Sequence, residues 1–262
     1  MAELLRSEHC GIQFGGLRAL HDISIRIAAG ELLGMIGPNG AGKTTFFNLL
    51  TGVYRATSGV IFFDEHGLEK LKTFQISHLG MARTFQNIRL FADLTVVDNV
   101  LVAFHYQMKS SLGASVVRGE KWRAEEISWH DTARELLQFF GLWERRHELA
   151  KNLPYGDQRR LEIVRALATR PKLLLLDEPA AGMNPTEKNQ LIGLIRMVHQ
   201  KFQLAILLIE HDMSVVMSLC PRIIVLDYGE IIAEGTPQEI RNNPKVIEAY
   251  LGTAPVNYVT SN

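Results

Sequence analysis

The chain has 262 residues, of which 47% are hydrophobic and 21% charged, which suits one sizeable globular domain and excludes a disordered protein. Its 28 basic and 28 acidic side chains cancel, so it lacks the strong positive field typical of nucleic-acid-binding proteins. No apolar run approaches the roughly 18 residues that cross a bilayer. We therefore expect any membrane-spanning part to belong to another polypeptide.

Short apolar and alternating segments predict strands along much of the chain. Residues 12–14, 22–27 and 60–63 alternate in polarity, which predicts a small antiparallel sheet. Four short apolar runs, each near a helical pattern, predict buried parallel strands at residues 32–36, 173–176, 204–209 and 223–226. The pattern as a whole predicts an α/β fold in which helices cover a sheet.

The pattern becomes helical between residues 94 and 141. In DTARELLQFFGL, apolar residues recur on one helix face, and Gly141 predicts the end of that helix. We interpret residues 88–161 as a helical insert. Near its end, the polar turn LPYGDQRR, residues 153–160, precedes a helix predicted over residues 161–168.

The stretch GPNGAGKTT follows an apolar strand and precedes a helical segment. Gly37, Gly42, Lys43 and Thr44 match the spacing G-x-x-x-x-G-K-[ST]. Glycines allow backbone N–H groups to approach phosphate oxygens, and the following helix dipole adds positive potential. We predict that Lys43 reaches the β- and γ-phosphates of a nucleotide and that the Thr44 hydroxyl coordinates Mg²⁺. A glycine-rich turn without a ligand is the alternative.

Other polar residues follow predicted strands. KLLLLDEP brings Asp177 and Glu178 to the carboxyl edge of a sheet, where one carboxylate suits Mg²⁺ and the other suits deprotonating a water. His211 in IEHD suits a γ-phosphate contact, with a surface or helix-capping histidine as the alternative. Gln86 stands where the core passes into the insert, and its amide suits Mg²⁺ or water. An exposed polar residue is the alternative for Gln86.

The order of these motifs resembles that in the nucleotide-binding subunits of ATP-binding-cassette transporters. The motifs that carry the resemblance are, in chain order, the loop 37–45, Gln86, LPYGDQRRLEIVRAL, LLLLDEP, AGMNP and His211. The resemblance covers nearly the whole chain. It implies ATP and Mg²⁺ as cofactors and a P-loop NTPase core with a mainly parallel sheet, a small N-terminal antiparallel β-subdomain and an inserted α-helical subdomain.

The same resemblance implies a single ATPase domain over residues 1–262. Within it, residues 1–87 and 162–235 form the nucleotide-binding core with the β-subdomain. Residues 88–161 form a helical signature subdomain, and residues 236–262 form a C-terminal helical tail.

The resemblance also implies the members of the site. It implies catalytic roles for Glu178, His211 and Gln86. It implies Mg²⁺ contacts for Thr44, Gln86 and Asp177. The implied nucleotide contacts are Phe14, Gly37, Pro38, Asn39, Gly40, Ala41, Gly42, Lys43, Thr44, Thr45, Leu153 and Gly156. Phe14 resembles the aromatic residue that stacks on adenine, and a buried residue at a strand end is its alternative.

Leu153 and Gly156 belong to the family's signature turn, which closes over ATP bound to the other subunit. The family usually writes this turn L-S-G-G-Q, and this chain departs from it at Pro154, Tyr155 and Asp157. Because proline has neither an N–H group nor a hydroxyl, the hydrogen bond usually given by the serine is in doubt. A further departure is Asn184, where the family's loop often ends in aspartate.

Three further segments resemble the ATPases of bacterial branched-chain amino-acid importers. They are ARTFQNIRLFADLTVVDNVLVA, the long insert and the tail GTPQEIRNNPKVIEAYLG. This closer resemblance implies integral membrane permease subunits, a second ATPase subunit that is related or identical, and indirectly a solute-binding protein as partners. It implies no nucleic acid and a peripheral place on the cytoplasmic face of the bacterial inner membrane. The alternatives are a lipopolysaccharide-export ATPase, a soluble ATP-gated clamp and a P-loop kinase.

Overall fold

The computed structural model describes residues 2–105 and 120–251. The described chain forms two compact units, the first of residues 2–79 and 195–251 and the second of residues 80–105 and 120–194. Part of the predicted insert, residues 106–119, and part of the predicted tail, residues 252–262, lie outside the described residues.

The strands, numbered in chain order, are β1 (Glu3–Phe14), β2 (Leu17–Ala28), β3 (Leu32–Ile36), β4 (Ser58–Phe63), β5 (His66–Gly67), β6 (Met81–Arg83), β7 (Leu173–Asp177), β8 (Ala205–Ile209), β9 (Arg222–Asp227) and β10 (Glu230–Gly235). The helices are α1 (Lys43–Leu50), α2 (Thr73–His78), α3 (Val96–His105), α4 (Glu120–Phe139), α5 (Tyr155–Ala168), α6 (Pro185–Phe202), α7 (Met213–Leu219), α8 (Pro237–Asn242) and α9 (Pro244–Leu251). Short 3₁₀ turns span Trp143–Arg145 and Ala150–Asn152.

The N-terminal part of the first unit is an antiparallel sheet. Strand β1 pairs antiparallel with both β2 and β4, and β4 pairs with the short β5. Along β2, Ile23, Ile25 and Ile27 are buried and the residues between them are exposed, which is the alternation expected of a strand with one covered face. The prediction of a small N-terminal antiparallel sheet is confirmed.

The first unit also contains a parallel sheet whose carboxyl edge positions polar residues. Strand β3 is buried throughout and pairs parallel with β8 on one side and β9 on the other, while β10 continues antiparallel beside β9. Met35 is opposite Ile209, and Ile36 is opposite Val225. The segments that follow β3, β8 and β9 therefore begin at the same sheet edge.

The second unit combines a parallel strand pair with helices. Strand β6 pairs parallel with β7, whose five residues are all buried, and helix α3 packs against α4 and α5. Helix α4 ends at Phe139, and Gly141 has a φ of 70°, as the glycine stop predicted. The predicted start of the next helix at residue 161 is wrong, because α5 already begins at Tyr155. Pro154 has the extended conformation of a residue before a helix, and Asp157 in the first turn complements the helix dipole.

No helix within the described residues is long and apolar enough to cross a membrane. The two compact units meet at residues 79–80 and 194–195, whereas the predicted functional subdomains meet at residues 87–88 and 161–162. The predicted subdomain boundaries stay a prediction.

Cys10 and Cys220 are buried free thiols in the first unit. Burial raises the pKa of the Cys10 thiol to about 11, and it also raises the pKa of the Cys220 thiol. Because the thiolate is the reactive form, a pKa near 11 leaves about one Cys10 in a thousand ionised at pH 8.

We therefore predict that iodoacetamide at pH 8 modifies neither cysteine in the native protein on the timescale in which it labels a free peptide thiol. Both should react once guanidinium unfolds the chain, and Cys10 labelling should accelerate as the pH approaches 11. Mass spectrometry of the alkylated peptides measures both rates. Rapid stoichiometric labelling of the folded protein at pH 8 would contradict this burial.

Candidate active site

The loop after β3 has a backbone that requires its glycines. Gly37, Gly40 and Gly42 have φ values of 155°, 83° and 103°, in the region that other residues rarely adopt. A Cβ at Gly37 would lie 2.1 Å from the carbonyl oxygen of Leu226, and one at Gly42 would lie 2.6 Å from Cδ2 of Leu20. The glycines therefore allow the loop to fold tightly between the end of β3 and the start of α1.

Lys43 and Thr44 begin the helix that follows this loop. The Lys43 side chain is buried, and its Nζ donates to the carbonyl oxygens of Gly37 at 2.7 Å and of Pro38 at 2.9 Å. Thr44 is exposed, and the first turn of α1 contains no acidic residue. A helix N-terminus has backbone N–H groups without intrahelical acceptors and carries partial positive charge. The loop and helix together thus form a cradle suited to phosphate oxygens.

His211 follows β8, the strand beside β3, so the parallel sheet brings it to the same edge as the phosphate loop. The Glu210 N–H donates to the Met35 carbonyl oxygen at 3.4 Å, which fixes the turn just before His211. The His211 side chain is exposed, with its Nδ1 4.0 Å from Oε2 of the buried Glu210. A histidine at this edge faces solvent and is accessible to a ligand.

Phe14 lies at the end of β1 in the same unit. Its side chain is 44% exposed, and its ring meets the exposed Tyr54 ring edge-on at a centroid distance of 5.1 Å. The alternative of a buried strand-end residue is therefore wrong. Two neighbouring exposed aromatic rings suit stacking on a planar base, although adenine stacking by Phe14 stays a prediction.

In the second unit, the end of β7 brings together Asp177, Glu178 and Gln86. Arg83 Nη2 lies 2.7 Å from Asp177 Oδ2, and both side chains are buried. Gln86 Nε2 donates to Glu178 Oε2 at 2.9 Å. Glu178 has a φ of 45°, a strained conformation for a residue with a side chain, and such strain occurs often at functional sites.

The signature turn lies at the start of α5. Leu153 is buried and its carbonyl oxygen accepts from Gln158 Nε2 at 2.8 Å, whereas Gly156 is half-buried beside a small cleft of 120 Å³. Apart from its chain neighbours and the backbone of its own helix, the nearest described atom to a Gly156 Cβ would be Glu187 Oε1 at 3.9 Å. The backbone at Gly156 is therefore open to a group approaching the N-terminus of α5.

Two departures from the family's usual pattern have partners inside the second unit. Tyr155 donates from its hydroxyl to the Ala181 carbonyl oxygen at 3.1 Å. Asn184 Oδ1 accepts from the Glu187 N–H at 3.0 Å, and Glu187 Oε2 accepts from the Asn184 N–H at 2.9 Å. Asn184 thus forms a reciprocal cap at the start of α6.

The sequence analysis missed Arg83, Arg159 and Glu162. Arg83 neutralises Asp177 across 94 residues of sequence, and the 0% exposed Arg159 pairs with Glu162 Oε2 at 2.8 Å. The available signal was the pair of opposite charges at positions i and i+3 of α5, where Glu162 interrupts the apolar run around Leu161 and Ile163.

Each of the two units contains an oxygen donor of the kind that binds Mg²⁺. Within residues 2–105 and 120–251, no group of three or more His, Cys, Asp or Glu side chains is arranged to hold a metal. Mg²⁺ typically uses one or two protein oxygens and completes its octahedron with phosphates and water. The exposed Thr44 hydroxyl and the Asp177 carboxylate are oxygen donors of that type.

A cavity of 570 Å³ lies between the first half of the phosphate loop and the C-terminal helix α9. Its lining includes Asn39, Gly40, Tyr228 and Lys245, but neither Lys43 nor Thr44. Nearby, burial raises the pKa of the Tyr250 phenol to about 12. Because the cavity does not include Lys43, we do not assign the nucleotide to it.

The family model of the ABC transporter matches residues 20–181, more than half of the chain, and this range includes both the phosphate loop and the acidic end of β7. The chain belongs to the ABC transporter family. A second model, described as a branched-chain amino acid ATP-binding cassette transporter, matches residues 230–255 of this ABC transporter chain.

Individual relatives extend the similarity. The ABC transporter chain is 48% identical to the high-affinity branched-chain amino acid transport ATP-binding protein LivG of Salmonella typhimurium, over 93% of this chain and 95% of the relative. It is 44% identical to the corresponding BraF protein of Pseudomonas aeruginosa, with the same coverage. A crystal structure of an ATP-binding cassette of an ABC transporter in its ADP conformation is similar in fold, with a TM-score of 0.83 and 31% identity over 96% of this chain and 100% of that one.

These findings confirm the predicted family, the α/β cassette fold and the prediction of an ABC-type ATPase. The roles of the individual site residues remain predictions for this ABC transporter chain. The structure brings Gln86, Asp177 and Glu178 together in one unit, and it brings the phosphate loop and His211 to one sheet edge in the other.

Lys43 offers a direct test of the phosphate loop of this ABC transporter chain. We predict that Lys43→Ala weakens ATP binding about 10- to 100-fold, because it removes a hydrogen-bonding charge from the phosphates. Isothermal titration calorimetry with ATP measures the Kd of both proteins.

Lys201→Ala is the matched control, because Lys201 lies exposed near the end of α6 in the same unit and its removal deletes the same side chain and charge. It should leave the Kd for ATP unchanged. An unaltered Kd in folded Lys43→Ala would count against the assignment of this loop to phosphate binding.

Proposed function

We propose that this chain is the ATP-hydrolysing subunit of an importer of branched-chain amino acids. The observation that carries the hydrolytic part is the Gln86–Glu178 contact at the end of a buried strand. The transport part rests on the relatives, whose names describe branched-chain amino acid transport ATP-binding proteins, and on the matching C-terminal family model. These similarities favour the importer over the alternatives of a lipopolysaccharide exporter, a soluble clamp and a kinase.

In this proposal, the loop from Gly37 to Thr45 binds the phosphates of ATP, and Lys43 supplies positive charge to the β- and γ-phosphates. Thr44 and Asp177, with Gln86, would hold Mg²⁺. When bound, that ion neutralises charge on the phosphate oxygens. Phe14 stacks on the adenine base, and His211 contacts the γ-phosphate from the neighbouring strand.

Glu178 acts as the general base. Its carboxylate accepts a proton as the water oxygen bonds to the γ-phosphorus and the bond from that phosphorus to the ADP oxygen breaks. Gln86 donates to one oxygen of this carboxylate at 2.9 Å, which restricts its orientation without adding charge.

The partners follow from the same proposal. A second ATPase subunit, related or identical, contributes its phosphate loop to the site that the Leu153 and Gly156 turn of this chain completes. Integral permease subunits hold the pair at the cytoplasmic face of the inner membrane, and a solute-binding protein delivers the amino acid to them. No nucleic acid takes part.

Glu178→Gln tests this function. We predict that the purified variant binds ATP as the parent does and loses turnover by about 10²- to 10⁴-fold, because an amide positions water but cannot accept its proton. Phosphate release under saturating Mg²⁺-ATP measures the rate, and calorimetry measures the affinity.

Glu144→Gln is the matched control, because Glu144 is exposed in a 3₁₀ turn of the same unit and undergoes the same chemical change. Its turnover should equal that of the parent. Turnover near the parent rate in Glu178→Gln would show that another group takes the proton.

A further inference from the structure

Arg159 is a fully buried cation whose guanidinium binds several groups at once. Its Nη1 donates to the Phe85 carbonyl oxygen at 2.6 Å and to Glu162 Oε2 at 2.8 Å. Its Nη2 donates to the Gln86 carbonyl oxygen at 2.7 Å and to the Tyr155 hydroxyl at 3.1 Å. Burying a charge is unfavourable unless it is paired and hydrogen-bonded, so these contacts account for an arginine with 0% exposure.

Glu162, the ion-pair partner of Arg159, also binds the backbone around Gln86. Glu162 Oε1 accepts from the N–H groups of Phe85 at 3.3 Å and Arg89 at 3.2 Å. The segment that contains Gln86 is thus fixed by both members of a buried ion pair on α5. The Gln86 side chain in turn donates to Glu178 Oε2. The chain of contacts from Arg159 to the hydrolytic carboxylate contains only one intervening residue.

Tyr155 connects the same guanidinium to the loop behind Glu178. Its hydroxyl accepts from Arg159 and donates to the carbonyl oxygen of Ala181, three residues beyond Glu178. Glu178 has a left-handed backbone, and a strained conformation persists only where its surroundings hold it. The Tyr155 contact is one such restraint. It stands where the family's usual signature has a glycine, which has no side chain to make this bond.

We propose that Arg159 and Tyr155 are positioning residues for hydrolysis, which hold Gln86 and the loop carrying Glu178 in the geometry that deprotonates water. This inference rests on the proposed function, since Glu178 is the base in both. It gives the first turns of α5 a role within their own chain, besides the role of Gly156 toward a second subunit. A shift at the start of α5 would then alter the position of the hydrolytic carboxylate directly.

Tyr155→Phe and Arg159→Lys test the proposal. Tyr155→Phe removes only the hydroxyl of a half-exposed ring and should lower kcat about 2- to 10-fold, the effect of one hydrogen bond. Arg159→Lys keeps the charge but loses the planar fork, and the misplaced Gln86 should lower kcat about 10- to 100-fold. In both variants the Kd for ATP should stay within about twofold, because the phosphate loop is unchanged.

Arg160→Lys is the matched control, because it makes the same change one residue away, where the side chain contacts Asp157 and Gln190 instead of the Gln86 segment. Its kcat should stay close to that of the parent. The melting temperature of each variant identifies any that fails to fold. If Arg159→Lys fails to fold, the kcat of Tyr155→Phe still tests the proposal.

A double-mutant cycle separates positioning from a general structural role. In a Gln86→Ala background, Arg159→Lys should lower kcat less than about twofold, since the side chain that Arg159 helps to place through the Gln86 carbonyl is gone. Hydrogen exchange of the peptide covering residues 85–89 should accelerate in Arg159→Lys but not in Arg160→Lys. Parent-like kcat in both folded variants, additive losses in the cycle, or unchanged exchange would each overturn the proposal. Failure of the parent to hydrolyse ATP when it is assembled with its second ATPase subunit would instead refute the proposed function, and the exchange measurement would still test the contacts.

Discussion

Charged groups at the ends of buried strands need partners, and much of the second unit is arranged to supply them. Strand β7 is buried along its whole length, so the Asp177 carboxylate at its end is shielded from the water that would otherwise solvate its charge. Arg83, from the adjacent strand β6, provides the opposite charge at 2.7 Å. The pairing of β6 with β7 therefore places a cation on the strand next to the acidic end. Gln86 follows three residues later and reaches Glu178.

The first unit meets a different constraint, since its loop must expose backbone N–H groups while packing closely on β9. The Gly37 position leaves no space for a side chain because of the Leu226 carbonyl, and Lys43 ties the loop together through the carbonyl oxygens of Gly37 and Pro38. A lysine held in this way is pre-positioned beside the cradle. Its position reduces the entropy lost when a phosphate binds.

The sequence was sufficient to predict the elements whose pattern is local. The apolar runs at β3 and β7 to β9, the alternation of β2, and the glycine loop before α1 each carry their signal within a few residues. Strand β6 has only three residues, which is too short for a period, and it was not predicted. The start of α5 was placed too late because its first turn is polar.

The contacts of the candidate site were harder to predict, because they join distant parts of the sequence. Arg159 reads as one of two adjacent surface arginines, and only the fold shows that it is buried against the carbonyl oxygens of Phe85 and Gln86, 74 and 73 residues away. Tyr155 appears in the sequence as a departure from a motif, and the structure gives its hydroxyl two partners. Periodicity contains no information on such pairs.

In the proposed function, ATP hydrolysis at Glu178 powers the import of branched-chain amino acids. The most direct measurement is uptake of labelled leucine into vesicles that contain this chain together with the membrane subunits, second ATPase subunit and solute-binding protein that assemble with it. We predict uptake that requires Mg²⁺-ATP on the side of the ATPase, is competed by isoleucine and valine, and is lost with Glu178→Gln. Leucine uptake that continues undiminished with Glu178→Gln, or ATP hydrolysis by the complete assembly without movement of any of these amino acids, would contradict it.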